Sequence, residues 1–254
     1  MIILKTPEEI AQMRVAGQAV AEILGLIRTA ISPGISTIAL NNIAEEECKK
    51  RRAIPVFKNY PHPRRKKPFP AAICASINEE VVHGIPGERL LQEGDIISID
   101  FGLILNGYVG DAAITVPVGE VSKEAQKLIK HTEKALFKGI HEARTGNRLG
   151  QVSHAIQKHA EEHGFSVVRE FVGHGIGRKM HEDPPVPNYG GINQGPELKE
   201  GMTIAIEPML NIGRRNVFTK DDNWTVVTRD GSLSAHFEHS IAITNRGPEI
   251  LTLR

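Results

Sequence analysis

The sequence has few cysteines and almost no net charge. Only Cys48 and Cys74 occur in 254 residues, which is too few for a disulfide framework and favours a reducing compartment. The formal net charge of +1 gives the whole chain no electrostatic preference for nucleic acid or for a membrane surface. These absences predict a soluble protein that binds neither DNA nor lipid.

Long hydrophobic runs are also lacking. The start, MIILKTPEEI, does not have the charged-then-apolar pattern of a signal peptide. The most apolar early stretch, residues 15–27, contains Gln18 and Glu22 and is too short to span a bilayer. We therefore expect a cytoplasmic location.

Three common catalytic motifs are missing as well. Residues 173–177 lack the Lys and Ser/Thr of a phosphate loop, and the chain has no His-Glu-x-x-His. No Ser or Cys lies in a nucleophile elbow. A covalent nucleophile and a single-zinc protease helix are thus both disfavoured.

Capping and turn signals divide the chain into elements. Thr6, Pro7 and Glu9 form a helix start with a capping box, and Asn106-Gly107 is a two-residue hairpin signal. Residues 53–73 are expected to be irregular. The predicted helices are 7–32, 37–51, 122–143 and 149–163, and the predicted strands are 95–105, 108–116, 202–210, 224–228, 235–244 and 249–253.

An internal repeat indicates two related halves, about 1–120 and 121–254. Residues 91–100 (LQEGDIISID) resemble residues 198–207 (LKEGMTIAIE), which places Asp100 on Glu207. The tripeptide His-Gly-Ile follows the same order, at His83 and again at His174. Each half begins with two helices before its strands. We predict a duplicated α+β fold in a single catalytic domain, with both carboxylates in one central site.

The hairpin fixes the relation between two aspartates. If Asn106-Gly107 is the turn, Asp100 faces Ala113, and Asp111 lies diagonally across on the same face. Such neighbours are about 7–8 Å apart at the backbone. Two carboxylates on an apolar sheet repel each other unless a cation lies between them. The alternative is that both face solvent.

Three further side chains extend this set. Glu207 ends an apolar run, Glu238 lies within the stretch 235–241 (AHFEHSI), and His174 lies between glycines that free its ring to reach outward. Four carboxylates and an imidazole suit two divalent cations better than one. For each glutamate alone, a solvated strand edge is the competing interpretation.

The remaining charged groups are less informative. The basic runs 49–52 and 64–67 are either solvated charge or a patch that contacts RNA. Five histidines in helical stretches are expected at the surface: His131, His141, His154, His159 and His163.

The chain resembles type I methionine aminopeptidases over nearly its whole length, in the short form without an N-terminal zinc-binding extension. The resemblance implies the duplicated pita-bread fold. It rests on the segments 4–10 (LKTPEEI), 76–79 (SINE), 83–86 (HGIP), 173–178 (GHGIGR), 206–209 (IEPM) and 238–240 (EHS).

That resemblance implies a dinuclear site for Co, Mn, Fe or Zn. Asp100 would bind one metal, Asp111 and Glu238 would bridge the pair, and His174 and Glu207 would complete the second. Glu207 would also accept the proton of the attacking water.

It further implies the substrate contacts. His181 would polarise the scissile carbonyl, and His83 would contact the scissile amide and the departing amine. Cys74, Phe69 and Trp224 would line a pocket for the methionine side chain.

Two departures from the family pattern leave the pocket shape open. Met180 stands where the family often has Phe, and the segment 60–70 is longer than usual. The sequence alone therefore leaves open whether Tyr60 or only Phe69 supplies the aromatic wall.

The implied partners are nascent polypeptide N-termini, with ribosome contact through the basic runs and a monomeric state. An X-Pro-specific peptidase of the same fold is the nearest alternative function. A non-catalytic binding homologue is a weaker one, because all five ligand positions are occupied.

Overall fold

The computed structural model describes residues 1–61 and 67–253, which contain four helices and fifteen strands. The helices are α1 (Pro7–Ala30), α2 (Thr37–Arg51), α3 (Lys123–Glu142) and α4 (Leu149–Glu162). The strands are β1 (Ile54–Pro55), β2 (Ile73–Ile77), β3 (Glu80–Val82), β4 (Ile96–Leu105), β5 (Tyr108–Pro117), β6 (Ser166–Val167), β7 (Gly173–Gly175), β8 (Glu182–Val186), β9 (Thr203–Ile206), β10 (Met209–Asn211), β11 (Val217–Thr219), β12 (Val226–Thr228), β13 (Ser234–His236), β14 (Glu238–Thr244) and β15 (Gly247–Ile250).

The predicted start of α1 is confirmed. Thr6 accepts a hydrogen bond from the backbone of Glu9, and the Glu9 side chain accepts one from the Thr6 backbone. With 24 residues, α1 ends two residues before the predicted end at residue 32. Its length and composition alone would let it cross a bilayer, but half of its most apolar window is buried inside the fold, as in the core helix of a globular protein.

The largest sheet shows the symmetry that the repeat predicts. Its central strands lie in the order β4-β5-β14-β9, so each half supplies two strands and the halves join where β5 pairs with β14. Asp100 on β4 and Glu207, directly after β9, thereby occupy corresponding places. The predicted α+β fold of two related halves is confirmed.

The predicted hairpin register is also confirmed. Leu105 pairs with Tyr108 and Asp100 pairs with Ala113. Asn106 (φ 53°) and Gly107 (φ 80°) both adopt the left-handed conformation, which a tight turn between twisted strands requires.

Helices cover one face of this sheet and leave the other free for the site. In the first half, α1 packs Val20 and Ile23 onto Ile99 and Phe101 of β4. In the second half, α3 packs onto β9 and β14, and α4 packs against α3 and β6. Because side chains alternate along a strand, Asp100, between Ile99 and Phe101, projects from the face opposite the helices.

Two strands predicted as continuous are each divided. The stretch 202–210 breaks at Glu207-Pro208 into β9 and β10, and 235–244 breaks at Phe237 into β13 and β14. In both cases the second piece joins a different sheet from the first. Pro208 lacks the backbone N–H that a continuous ladder needs.

Among the strands that lie outside the predicted ones are β8 and β1, and β1 falls within residues 53–73, which were expected to be irregular. Residues 182–186 form β8 and pair with β7, despite two prolines. Residues 54–55 form β1, which pairs with Ile104 and Leu103 of β4.

Candidate metal centre

One cleft on the helix-free face collects the side chains singled out by the sequence. Its volume is about 240 Å³. The residues that line it are Phe57, Tyr60, Phe69, Cys74, Val82, His83, Asp100, Asp111, Phe171, Val172, His174, Met180, His181, Glu207, Trp224 and Glu238. Every residue predicted as a metal ligand or substrate contact is therefore in the same cleft.

Four of the five predicted ligands lie on the strands β4, β5, β7 and β14, and the fifth, Glu207, directly follows β9. Asp111, His174 and Glu238 each offer a ligand atom, and these atoms lie within 4.8 Å of one another. Nε2 of His174 is 3.7 Å from Oδ2 of Asp111 and 3.7 Å from Oε1 of Glu207. Asp100 is close enough for its charge to interact with those of Asp111 and Glu207.

A hydrogen bond orients the imidazole toward the carboxylates. Nδ1 of His174 lies 2.9 Å from the carbonyl oxygen of Gly175, so Nδ1–H donates and Nε2 keeps its lone pair. Metal-binding histidines usually have their other nitrogen fixed in this way.

Glycines on either side of His174 are required for this placement. A Cβ at Gly173 would lie 2.3 Å from the carbonyl oxygen of Ala205, and one at Gly175 would lie 2.1 Å from that of Asp183. These distances allow no side chain, so the two glycines let β7 fit between its neighbouring strands.

The cluster concentrates negative charge out of water. Asp111 is 1% exposed and Glu238 is 2% exposed. Burial raises the pKa of Asp100, Glu207 and Glu238 well above the usual range, and repulsion from Asp111 raises each further. Burial also raises the pKa of Asp111, to about 7.

Three buried carboxylate oxygens indicate that the cluster fits a cation. Among the described residues, Asp100 Oδ1, Asp111 Oδ1 and Glu238 Oε1 are buried and have no hydrogen-bond partner. Buried carboxylate oxygens without partners are costly, and a divalent cation would satisfy them. The donor set of carboxylates and one imidazole fits such an ion.

His83 and His181 flank the cluster within the cleft. His83 has φ 60°, a conformation that is uncommon outside glycine and often found at functional sites. Its ring packs edge-on against Phe171, with centroids 5.5 Å apart. The ring centroid of His181 is 4.4 Å from that of His174.

Tyr60 holds His181 in place. The Tyr60 hydroxyl lies 2.7 Å from Nδ1 of His181. If the hydroxyl donates to Nδ1, the ring proton is on Nε2.

An aromatic end of the cleft adjoins the carboxylates. The rings of Phe69 and Trp224 meet edge-on with centroids 5.3 Å apart, and Cys74 and Met180 contact the same apolar cluster. The sequence left open which aromatic residue forms this wall, and the structure places both Tyr60 and Phe69 there.

Sequence reasoning missed one buried histidine. His236 is 1% exposed, and its Nε2 is 3.8 Å from Oε2 of Glu207. Its position two residues before Glu238, a predicted ligand, was the available signal, although the two residues lie on different strands, β13 and β14.

The predictions for the two basic runs, 49–52 and 64–67, have different outcomes. In the first, Lys50 and Arg51 form ion pairs with Glu47, as solvated charge on a helix does. In the second, residues 64–66 lie outside the described residues, and Lys67 is exposed.

Comparison with known proteins gives consistent matches. A profile of metallopeptidase family M24 matches residues 11–245. Methionine aminopeptidase 1 of Bacillus subtilis is 56% identical over 252 residues, which cover 99% of each chain. The crystal structure of methionine aminopeptidase from Rickettsia prowazekii superposes with a TM-score of 0.96 at 44% identity, covering 100% of both chains.

A more distant match concerns the alternative function. A Xaa-Pro dipeptidase from Bacillus anthracis superposes with a TM-score of 0.75 at 23% identity, covering 99% of this chain and 62% of that one. At this identity the likeness shows a shared fold alone.

Proposed function

The chain belongs to metallopeptidase family M24, and from this premise we propose that it is a methionine aminopeptidase. It removes the initiator methionine from nascent proteins whose second residue is small. The strongest support for this function is that one cleft contains both a buried carboxylate–imidazole cluster and an aromatic pocket that suits a thioether side chain. The sequence similarity to methionine aminopeptidases, which extends over nearly the full length of the chain, supports the same activity.

The carboxylate cluster is proposed to hold two divalent ions of Co, Mn, Fe or Zn. Asp111 and Glu238 would be shared by both ions, Asp100 would serve one, and His174 and Glu207 the other. Support comes from the orphaned buried oxygens and the distances around His174. Such ions supply Lewis acidity and lower the pKa of a water molecule toward neutrality.

Protein groups around the cluster would handle the proton and the substrate. Glu207 accepts a proton from the attacking water and passes it to the departing amine. His181 donates from Nε2 to the scissile carbonyl, whose negative charge grows during attack. Tyr60 holds the imidazole in that tautomer through its bond to Nδ1.

The pocket selects the first residue. Phe69, Trp224 and Cys74 offer a soft apolar wall for an unbranched thioether. His83, packed against Phe171, would contact the scissile amide. The free substrate amine would lie against the metal cluster, which restricts cleavage to the N-terminal residue.

The cellular setting follows from this activity as a further proposal. Nascent chains are met in the cytoplasm, so we place the enzyme there as a monomer. Ribosome contact through the basic runs stays a prediction.

Two peptides test the function. Metal-stripped enzyme is assayed on Met-Ala-Ser and on Ala-Pro peptides, before and after adding Mn²⁺ or Co²⁺. We expect metal-dependent release of methionine from the first peptide only. Cleavage of Ala-Pro would assign the X-Pro activity instead, and cleavage of neither by metal-loaded protein would leave a binding homologue.

A further inference from the structure

Three histidines meet on the outer helical layer. His131 comes from α3, while His159 and His163 lie four residues apart at the C-terminal end of α4. Their ring nitrogens include three that lie within 4.8 Å of one another. The sequence predicted scattered surface side chains, but His131 and His159 are half-buried in a shared cluster.

The distances within this cluster are close to those of a metal site. Nδ1 of His131 is 3.2 Å from Nε2 of His159. Two nitrogens bound tetrahedrally to zinc at about 2.0–2.1 Å are about 3.3 Å apart. The ring of His163 packs at a tilt against both other rings, with its centroid 4.1 Å from that of His131 and 4.3 Å from that of His159.

A backbone hydrogen bond leaves the third ring ready to coordinate. Nδ1 of His163 lies 2.7 Å from the carbonyl oxygen of His159, so Nδ1–H donates and Nε2 carries the lone pair. This is the arrangement that fixes the tautomer of metal-binding histidines.

We propose that His131, His159 and His163 form a second metal site, separate from the cleft, for a borderline divalent ion such as Zn²⁺. The ion is bound by three imidazole nitrogens, with the fourth position open to water at the exposed His163. It links the last turn of α4 to α3.

Surrounding charge sets the class of ion. Four lysines of α3 act electrostatically on the cluster: Lys127, Lys130, Lys134 and Lys138. They oppose any cation, and the cluster offers no carboxylate, so Mg²⁺ and Ca²⁺ are excluded while imidazole-binding metals are retained. Burial, then the neighbouring His163 and finally these lysines, lower the pKa of His131 and bring that of His159 to about 4, which leaves both rings unprotonated at neutral pH.

The new site is independent of the proposed activity. None of the three histidines is among the residues that line the cleft, so variants at this cluster leave the catalytic groups unchanged. The two sites can therefore be counted separately.

The test is the number of Zn²⁺ ions bound at neutral pH, measured by equilibrium dialysis and mass spectrometry of the metal. The proteins compared are the unmodified chain, His159→Gln, His163→Gln and the matched control His154→Gln, an exposed histidine of α4. We expect His159→Gln and His163→Gln each to bind one equivalent fewer, and the control to bind as many as the unmodified chain.

Two further measurements accompany the count. Circular dichroism shows that the variants are folded, and hydrolysis of Met-Ala-Ser should be the same in all four proteins. Equal zinc in all four, or an equal loss in His154→Gln, would overturn the second site.

Discussion

Nε2 of His174 lies 3.7 Å from Oδ2 of Asp111, although their strands β7 and β5 are separated in the sheet by β9 and β14. In a flat sheet three strand spacings amount to about 14 Å. The two side chains meet because the sheet curves around its helix-free face. This curvature brings ligands from both halves of the repeat into one site.

Removing a shared ligand should abolish both metal binding and turnover. We expect Asp111→Ala to lower kcat/KM by more than about 100-fold, since even outer hydrogen-bond partners of metal ligands contribute 10–100-fold. Metal content and peptide hydrolysis are measured together, with Glu46→Ala on the exposed side of α2 as the control. Full activity in Asp111→Ala would rule out the proposed cluster.

The sequence was sufficient to predict the positions of side chains where local rules determine them. The Asn106-Gly107 turn sets the register of β4 and β5, and alternation then places Asp100 and Asp111 on one face. The repeat placed Glu207 opposite Asp100. These inferences needed only turn chemistry and strand periodicity.

Such rules could not predict contacts between segments that are distant in the sequence. The bond between Tyr60 and His181 spans 121 residues, and no local pattern encodes it. His236 escaped notice because β13 and β14 belong to different sheets, so that its approach to Glu207 depends on a chain break at Phe237. The three-histidine cluster depends on the packing of α3 against α4.

His181 should matter for turnover and little for metal binding. We expect His181→Ala to keep its metal and to lose about 10²–10³ in kcat, the contribution of one oxyanion donor. The readouts are metal content and kcat on Met-Ala-Ser, with His154→Ala as the control. A variant that loses metal and activity in parallel would make His181 a ligand instead.

Tyr60 is a positioning residue, and its effect should pass through His181. We expect Tyr60→Phe to lower kcat by about 3–10-fold, the equivalent of one hydrogen bond, with little change in KM. In the His181→Ala background the same change should have no further effect, which a double-mutant cycle measures. Additive losses would show that Tyr60 acts elsewhere, for example as a wall of the pocket.

Trp224 provides an intrinsic reporter for the pocket, because it is the chain's single tryptophan and lies edge-on to Phe69. Adding L-methionine should change its fluorescence in a saturable manner, whereas L-lysine at the same concentration should not. The Trp224→Phe variant should show no such fluorescence change, and its KM for Met-Ala-Ser should be higher. Equal fluorescence responses to both amino acids would show that Trp224 does not line a methionine pocket.

Metal removal should destabilise the fold. The buried carboxylates repel one another without a cation, and an ion that binds only the native state at 100 times its Kd adds about 2.7 kcal/mol. For a chain of this size we expect chelation to lower Tm by roughly 5–10 °C. Calorimetry with and without chelator measures this shift, and re-adding Mn²⁺ should restore it. An unchanged Tm would mean that the cluster holds no ion.

Cys48 should be inert in the native protein. It is 1% exposed, and burial raises the pKa of its thiol from 9.0 to about 11. Since the thiolate is the reacting form, at pH 8 the native protein carries about 100-fold less of it than an exposed cysteine does. We expect iodoacetamide to label Cys48 at least that much more slowly in buffer than in urea, as read by mass spectrometry on a Cys74→Ser variant. The pKa difference also makes stability depend on pH. Between about pH 9 and 11 the native thiol keeps a proton that the unfolded chain has lost. The free energy of unfolding therefore falls as the pH rises through this window. Labelling at equal rates in both solvents would show that the α2 face bearing Cys48 opens readily, against its packing on the sheet.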